Sequence, residues 1–191
     1  IDVAEIGRVW YLHPEELPED VDRGGLEVTA GYRPEPDSGE FSYATNAALV
    51  AVDAEIGTVE LLDYLAVEDC GRMVNPLIVA GQVMGGSVQG IGTALFEEMP
   101  YSETGQPLAT TFLDYTMPGT AELPSIRVEH IETPSPWTEF GIKGVGEGGA
   151  ISPPAAIANA INDALKSFGA EVRETPMTRR RVLRAIEVAR E

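Results

Sequence analysis

The sequence predicts an α+β domain in which a mixed β-sheet packs with helices. Three observations carry that reading. Residues 47–52 and 59–67 are β-rich runs joined across Gly57, the pattern of a hairpin. Asn75 and Pro76 open a long apolar run to Phe96, with asparagine as N-cap and proline at the first helical position. Residues 138–154 crowd Gly141, Gly144, Gly146, Gly148 and Gly149 around Glu147, then enter an alanine-rich segment of helical spacing.

Taken in order, residues 1–40 are acid- and proline-rich, with Glu15, Glu16, Glu19 and Asp20 in one cluster and Pro34, Glu35, Pro36 and Asp37 in another. They read as an extended acidic arm lying on a partner surface, with a solvated tail as the equal alternative. Residues 41–191 read as the folded domain. After the hairpin, the helix from Pro76 contains five glycines, Gly81, Gly85, Gly86, Gly90 and Gly92. Each costs about 1 kcal/mol relative to alanine. Gly81/Gly85 and Gly86/Gly90 are i,i+4 pairs that flatten helix faces, either for close packing or for a flat ligand. Gln82 offers two donors and an acceptor on that surface. Residues 101–106 read as a turn, 112–118 as a short helical or irregular piece, and 126–132 as a strand by alternation. Residues 155–168 read as a helix stopped by Gly169, 170–173 as a weak strand, and 178–189 as a basic amphipathic helix capped by Thr178.

The stretch around Glu147 carries the chemistry. Its glycines release the backbone toward positive φ and bare its amides. Ser152 stands as N-cap before Pro153 and Pro154. A loop of free N–H donors feeding a helix N-terminus favours an anion. A carboxylate in such a cradle would repel phosphate, so Glu147 makes better sense facing a metal-bound water or a substrate proton.

Composition narrows the classes. The 191 residues carry a formal charge of -18, which argues against a nucleic-acid surface. No apolar run reaches the ~20 residues of a membrane span, and the N-terminus lacks a signal-peptide pattern. Ile1 in place of a start methionine implies a piece or processed subunit of a longer polypeptide. Cys70 alone suits a reducing, cytoplasmic setting. With His13 and His130 far apart, no zinc or iron–sulfur site is built from local spacing, and no metal-ligating residue is assigned.

Competing readings of single motifs are bland. Gly144-Val145-Gly146-Glu147-Gly148-Gly149 fits the dinucleotide glycine pattern, with Glu171 about 20 residues on as a ribose-binding acid, yet no apolar strand directly precedes it. Without Gly-Lys-Ser/Thr there is no P-loop. His130 is expected to face solvent or be hydrogen-bonded, and Cys70 to be a small buried residue. Lys143 either pairs with an acid or adds positive potential beside an anion. The arginines 179–181 are expected as a solvated helix start, facing an acidic partner if any.

Four stretches together resemble one family. They are Asp69-Cys70-Gly71 with Asn75-Pro76; Gly81-Gln82-Val83-Met84-Gly85-Gly86-Ser87-Val88-Gln89-Gly90-Ile91-Gly92; Phe112-Leu113-Asp114-Tyr115 with Pro118; and Gly141-Ile142-Lys143-Gly144-Val145-Gly146-Glu147. The sequence resembles the C-terminal molybdopterin-binding part of the large subunit of molybdenum hydroxylases, the xanthine dehydrogenase, aldehyde oxidoreductase and aerobic carbon monoxide dehydrogenase family. The resemblance implies that Glu147 is the base that takes a proton from a metal-bound hydroxyl. It implies that Gln82 and Gly81, with Lys143, Gly144, Val145 and Gly146, contact molybdopterin, the cytosine dinucleotide form among the options. It implies FAD and 2Fe-2S clusters in partner subunits or domains, and an aldehyde, an N-heterocycle or a related small molecule as substrate. The family's large subunit is far longer, so this chain alone is expected not to enclose the cofactor and to be inactive in isolation. A dinucleotide-binding domain and a non-catalytic assembly module remain the alternatives. The first predicts a parallel βαβ unit around Gly144 to Gly149, the second a Glu147 buried in a salt bridge.

Overall fold

The computed structural model describes residues 2–33 and 41–191. Contacts divide the chain into two units, Ile1–Arg33 and Pro34–Glu191. In the first, the segment expected to be extended is in part helical: α1 spans Val3–Leu12. Asp2 caps it, its Oδ1 accepting from the Ala4 amide at 3.1 Å, and Glu5 pairs with Arg8 one turn on at 2.7 Å. Those local signals precede the acid and proline cluster, which begins with a 3₁₀ turn at Pro14–Glu16. No residue of α1 is buried. The second acid and proline cluster of the arm, from Pro34, lies outside the described residues.

The second unit holds a three-stranded mixed sheet in the order β1-β2-β3. β1 (Tyr43–Val52) and β2 (Val59–Asp69) form the expected antiparallel hairpin. Its turn is made by Asp53, whose Oδ1 accepts from the Glu55 and Ile56 amides at 2.9 and 3.1 Å, and by Gly57 at φ 70°. A Cβ on Gly57 would also lie 2.6 Å from Leu183 Cγ. β3 (Ile126–His130) adds in parallel to β2, with Tyr64 opposite Ile126 and Glu68 opposite His130.

Residues 48, 50, 64, 66, 126 and 128 turn toward the helices and join one core. The helix α2 (Pro76–Leu95) is capped as expected, Asn75 Oδ1 accepting from Leu77 and Ile78 at 3.1 and 3.3 Å. At 20 residues it is about 30 Å long. α3 (Gly148–Ile151) and α4 (Pro153–Leu165) follow the glycine loop, and α4 buries Ile157, Ile161 and Leu165. Gly169 ends its last turn in the left-handed region at φ 66°. α5 (Arg179–Arg190) buries Val182 and Ile186, with Thr178 Oγ1 accepting from the Arg181 amide at 3.4 Å.

Three local expectations are corrected. Ser152 makes no cap bond; it sits in helical geometry at φ -82°, ψ -29° between α3 and α4. The chain enters α4 from another helical turn, so the bare N-terminus expected at Pro153 does not form. Residues 170–173 are not a strand. Asn162 holds them instead, donating to the Val172 carbonyl at 3.0 Å and accepting from its amide at 2.8 Å. The start of α5 is only partly solvated: Arg181 pairs with Glu98 at 2.7 Å and with Glu174 at 3.4 Å, and Arg179 donates to the Ile56 carbonyl.

Candidate cofactor site

The glycines of α2 have two different tasks. A Cβ on Gly86 would lie 2.9 Å from the backbone of Gly149 and Ala150, and one on Gly90 would lie 2.7 Å from Pro153 Cγ. That face receives α3 and α4. Gly81 and Gly85 have no atom within 4 Å of a Cβ position, so their side of the helix is open. The glycines of the loop divide the same way. Only Gly141, at φ 71°, takes positive φ, together with its neighbour Phe140 at φ 63°. Gly148 and Gly149 instead admit the Glu68 carboxyl and the Val83 backbone, respectively. The expectation that these glycines serve backbone freedom therefore holds at Gly141; at Gly148 and Gly149 close approach is the reason, while Gly144 has open space around its Cβ position and Gly146 only an ordinary contact.

The loop is tied to the end of β2 by the Asp69-Cys70-Gly71 stretch. The Arg72 amide donates to the Gly141 carbonyl at 3.1 Å and the Lys143 amide to the Cys70 carbonyl at 2.8 Å. Gly71, at φ 69°, has no room for a side chain against Gly141 and Lys143. Asp69 Oδ1 accepts from the amides of Gly71 at 2.9 Å and Thr133 at 3.1 Å. Burial alone would push the Asp69 carboxyl up, but these hydrogen bonds and the Lys143 charge bring it below the ordinary aspartate range. Cys70 is 3% exposed, and burial holds its thiol up.

Between α2 and the loop lies a cavity of about 450 Å³, lined by Gln82, Gly85, Gly86 and Gln89 on one side and Gly146, Glu147 and Ala150 on the other. Glu147 is exposed. The Gln82 amide and the backbone amides of Gly144, Val145 and Gly146 have no hydrogen-bond partner among the described residues, and Gly146 approaches Gln82 Nε2, 3.9 Å from its Cβ position. One carboxylate, two carboxamides and bare amides on a wall partly without side chains make a surface for a flat, polar, anionic group. Neither alternative reading finds its predicted feature. No strand leads into Gly144, and α3 has four residues, so the parallel βαβ unit is not there. Glu147 is not buried in a salt bridge.

Of the residues singled out in the sequence, Gln82, Gly146 and Glu147 meet at this cavity. Gly144 and Val145 lead into it, and Gly81 lies on the open face of α2 beyond its lining. Lys143 does not reach it. Its side chain is 4% exposed, 3.5 Å from Asp69, with Nζ 4.2 Å above the Tyr43 ring. Gln89 was missed; it stands seven residues after Gln82, two turns along the same face. Asp69 had no local signal as the partner of Lys143. Glu68 was readable from alternation, since it continues the buried side of β2 after Tyr64 and Ala66. His130, expected to face solvent or be bonded, has a buried Nδ1 without a partner. A larger cleft of about 630 Å³ lies between residues 169–174 and α5, far in sequence from these groups, and its Arg173 and Arg181 are neutralised by Glu171, Glu98 and Glu174. Among the described residues, one cluster has metal-ligand proximity, the half-buried His13 with the exposed Glu15 and Glu16 of the first unit.

The model of the molybdopterin cofactor-binding domain matches residues 2–124. The large subunit of nicotine 6-hydroxylase from Paenarthrobacter nicotinovorans is 41% identical over 97% of this chain and 22% of its own length. The carbon monoxide dehydrogenase large chain of Afipia carboxidovorans is 32% identical over 73% of this chain and 17% of its own. The crystal structure of quinoline 2-oxidoreductase from Pseudomonas putida 86 superposes with a TM-score of 0.83 at 41% identity, covering 98% of this chain and 23% of that one. The chain thus spans about a fifth of the length of these relatives. On the family match, the likeness of fold and the cavity between glycine-faced helix and loop, the chain belongs to the molybdopterin cofactor-binding domain family of molybdenum hydroxylase large subunits.

Proposed function

We propose that this chain forms the C-terminal part of the large subunit of a molybdenum-dependent oxidoreductase, and that Glu147 is its general base in oxidative hydroxylation of an N-heterocycle or aldehyde. The observation that carries the reading is the exposed Glu147 sharing one cavity with Gln82 and Gln89. The N-heterocyclic option has the added support of relatives named for nicotine and quinoline.

When bound, the molybdenum cofactor supplies the oxygen nucleophile and takes up the electron pair leaving the substrate carbon. The chain's own residues do the rest. The Gln82 carboxamide and the amides of Gly144, Val145 and Gly146 would donate to the pterin and its anionic groups, and Gly85 would leave the α2 wall free of a side chain there. Glu147 would accept a proton at a carboxylate oxygen, the role that requires a base within hydrogen-bond reach of the group it deprotonates. Lys143 acts at a distance, by holding Asp69 and with it the base of the loop.

The missing wall of the site comes from the remainder of the large subunit. Leu77, Phe112 and Leu113 are 83%, 86% and 92% exposed, and apolar surface left in water at this density favours a protein partner. Iron–sulfur and FAD-bearing partners would carry the electrons away, and the cytosine dinucleotide is one form the pterin would take. No helix among the described residues is long and apolar enough to cross a membrane; the setting proposed for the complex is the cytoplasm. The test is Glu147→Gln in the purified complex. Turnover should fall by about 10²–10⁴ while molybdenum, iron and flavin contents stay at the parent level. Unchanged turnover refutes the base assignment, and a parent complex free of molybdenum refutes the whole reading.

A further inference from the structure

The inner face of β2 runs Tyr64, Ala66, Glu68. Where the alternation calls for an apolar side chain, a carboxyl stands instead. Glu68 is 1% exposed, and neither of its oxygens has a hydrogen-bond partner among the described residues. An ionised carboxylate in that position would have neither water nor a donor to replace it. A neutral acid is admissible, but its O–H then needs an acceptor. In register on β3, one strand away and on the same face, stands His130, whose Nδ1 is also buried and without a partner.

The carboxyl reaches the loop as well. A Cβ on Gly148 would lie 3.0 Å from Glu68 Cδ and 3.1 Å from its Oε2. Gly148 follows Glu147 directly, so the height of the Glu147 turn above the sheet is set by what fills the Glu68 position.

We propose that Glu68 is the positioning residue for Glu147: it keeps its proton, donates it to Nδ1 of His130, and forms the uncharged floor on which Gly148 rests. This rests on the reading of Glu147 as base. Strand neighbours stand about 4.8 Å apart, a span that a glutamate and a histidine side chain on one face can bridge, and in the proposed pair the imidazole carries its own proton on Nε2. Burial, then the charge of Asp69, hold the Glu68 carboxyl above the ordinary glutamate range. The other groups facing it agree. Asp69 is paired with Lys143, β1 presents Ala44 at the register position, α2 contains no ionisable residue, and Glu147 lies across Gly148. A charged Glu68 would be a second anion beneath the turn and would disfavour the ionised form that a base needs. A neutral one supports the turn and leaves Glu147 ready to accept a proton.

The test uses the complete molybdenum enzyme, with Glu68→Gln, Glu68→Leu and, alongside, Glu147→Gln. Infrared difference spectroscopy at neutral pH should show the carbonyl stretch of a protonated carboxylic acid in the parent that is absent from Glu68→Gln. Glu68→Leu leaves Nδ1 unpaired and shifts the turn, so kcat should drop about 10- to 100-fold, the scale of a misplaced catalytic group, with KM little changed. Glu68→Gln still donates to Nδ1 and should recover most of that loss, with the acid limb of its kcat–pH profile where the parent has it. The proposal is overturned if no carboxylic acid band disappears in Glu68→Gln, if that variant is as slow as Glu68→Leu, or if its acid limb moves to lower pH, which is the sign of an ionised Glu68. Should Glu68→Leu fail to fold, the band and the pH profile of Glu68→Gln decide. If Glu147→Gln keeps parent turnover, the base reading fails while the infrared band still reports on Glu68; if it loses turnover and the Glu68 variants miss their expected results, only the present proposal fails.

Discussion

The two glycine pairs of α2 make opposite predictions, and Gly85→Ala is the sharpest. Its Cβ would have no atom within 4 Å, so the substitution strains nothing. It removes a helix-interior glycine, which stabilises by about 1 kcal/mol, or about 2–4 °C in Tm for a chain of this size. The new methyl, however, projects from the cavity wall shared with Gln82, Gly146 and Glu147. The expected result is a protein that unfolds at higher urea and a complex that retains less molybdenum. Gly86→Ala gains the same propensity but meets backbone atoms at 2.9 Å, which cannot rotate away. Overpacking of this kind costs about 1–3 kcal/mol, leaving a net loss of roughly 0–2 kcal/mol once the ~1 kcal/mol propensity gain is subtracted. Urea midpoints of the 191-residue chain measure the first term, and metal analysis of the complex the second. If Gly85→Ala destabilises, or if Gly86→Ala stabilises equally, the division of the glycines is wrong. If Gly85→Ala stabilises and molybdenum content is untouched, the open face does not carry the cofactor.

Two further predictions concern buried charge. Lys143→Met leaves Asp69 buried without its cation and should destabilise by about 3–5 kcal/mol, read as a lower urea midpoint. Because the folded Asp69 carboxyl lies below its ordinary value, its contribution is complete above about pH 3.9 and is lost as pH falls from there through the folded value. Lys143→Met should reduce that acid-side slope only in part, because the Gly71 and Thr133 hydrogen bonds to Asp69 remain, and an unaltered slope counts against the pairing. Glu68 has the opposite sign. Its folded pKa is raised, so the folded chain keeps a proton that the unfolded chain releases above about pH 4.3, and stability falls as pH rises from there to the folded value. Glu68→Gln should lack this fall, its advantage over the parent growing across the window; parallel stability curves from pH 4 upward would contradict it.

What could be read in advance follows the range of the physical signal. The hairpin across Gly57, the Asn75 cap, the Gly169 stop and the Thr178 cap are each set by a few consecutive residues, and all four form as expected. α1 was hidden because the acids and prolines after residue 13 dominated the composition of the whole arm, while the Asp2 cap and the Glu5–Arg8 pair act within one turn. Residues 170–173 failed as a strand because their partner is Asn162 on α4, a side chain that no strand pattern reveals. Lys143 sits against Asp69, a residue 74 positions away, and the sequence alone left its partner open.

The glycine-rich loop shows most clearly how composition and geometry part. Its glycine count suggested a freely turning backbone, yet only Gly141 takes positive φ. Gly148 presses onto the Glu68 carboxyl and Gly149 onto the Val83 backbone, and Gly86, on the same helix as Val83, leaves room for Gly149 and Ala150. A loop seated this way has little freedom to move Glu147 relative to Gln82, because any lift of the turn opens a void against α2 and β2. Gly148 and Gly149 therefore act as contact surfaces that seat the turn carrying Glu147. On the proposed reading of Glu147 as base, ordering it in this way would offset the entropy that a mobile acid loses on reaching its proton. The contact that seats Gly148, next to Glu147, comes from a buried acid on β2, several elements earlier in the chain.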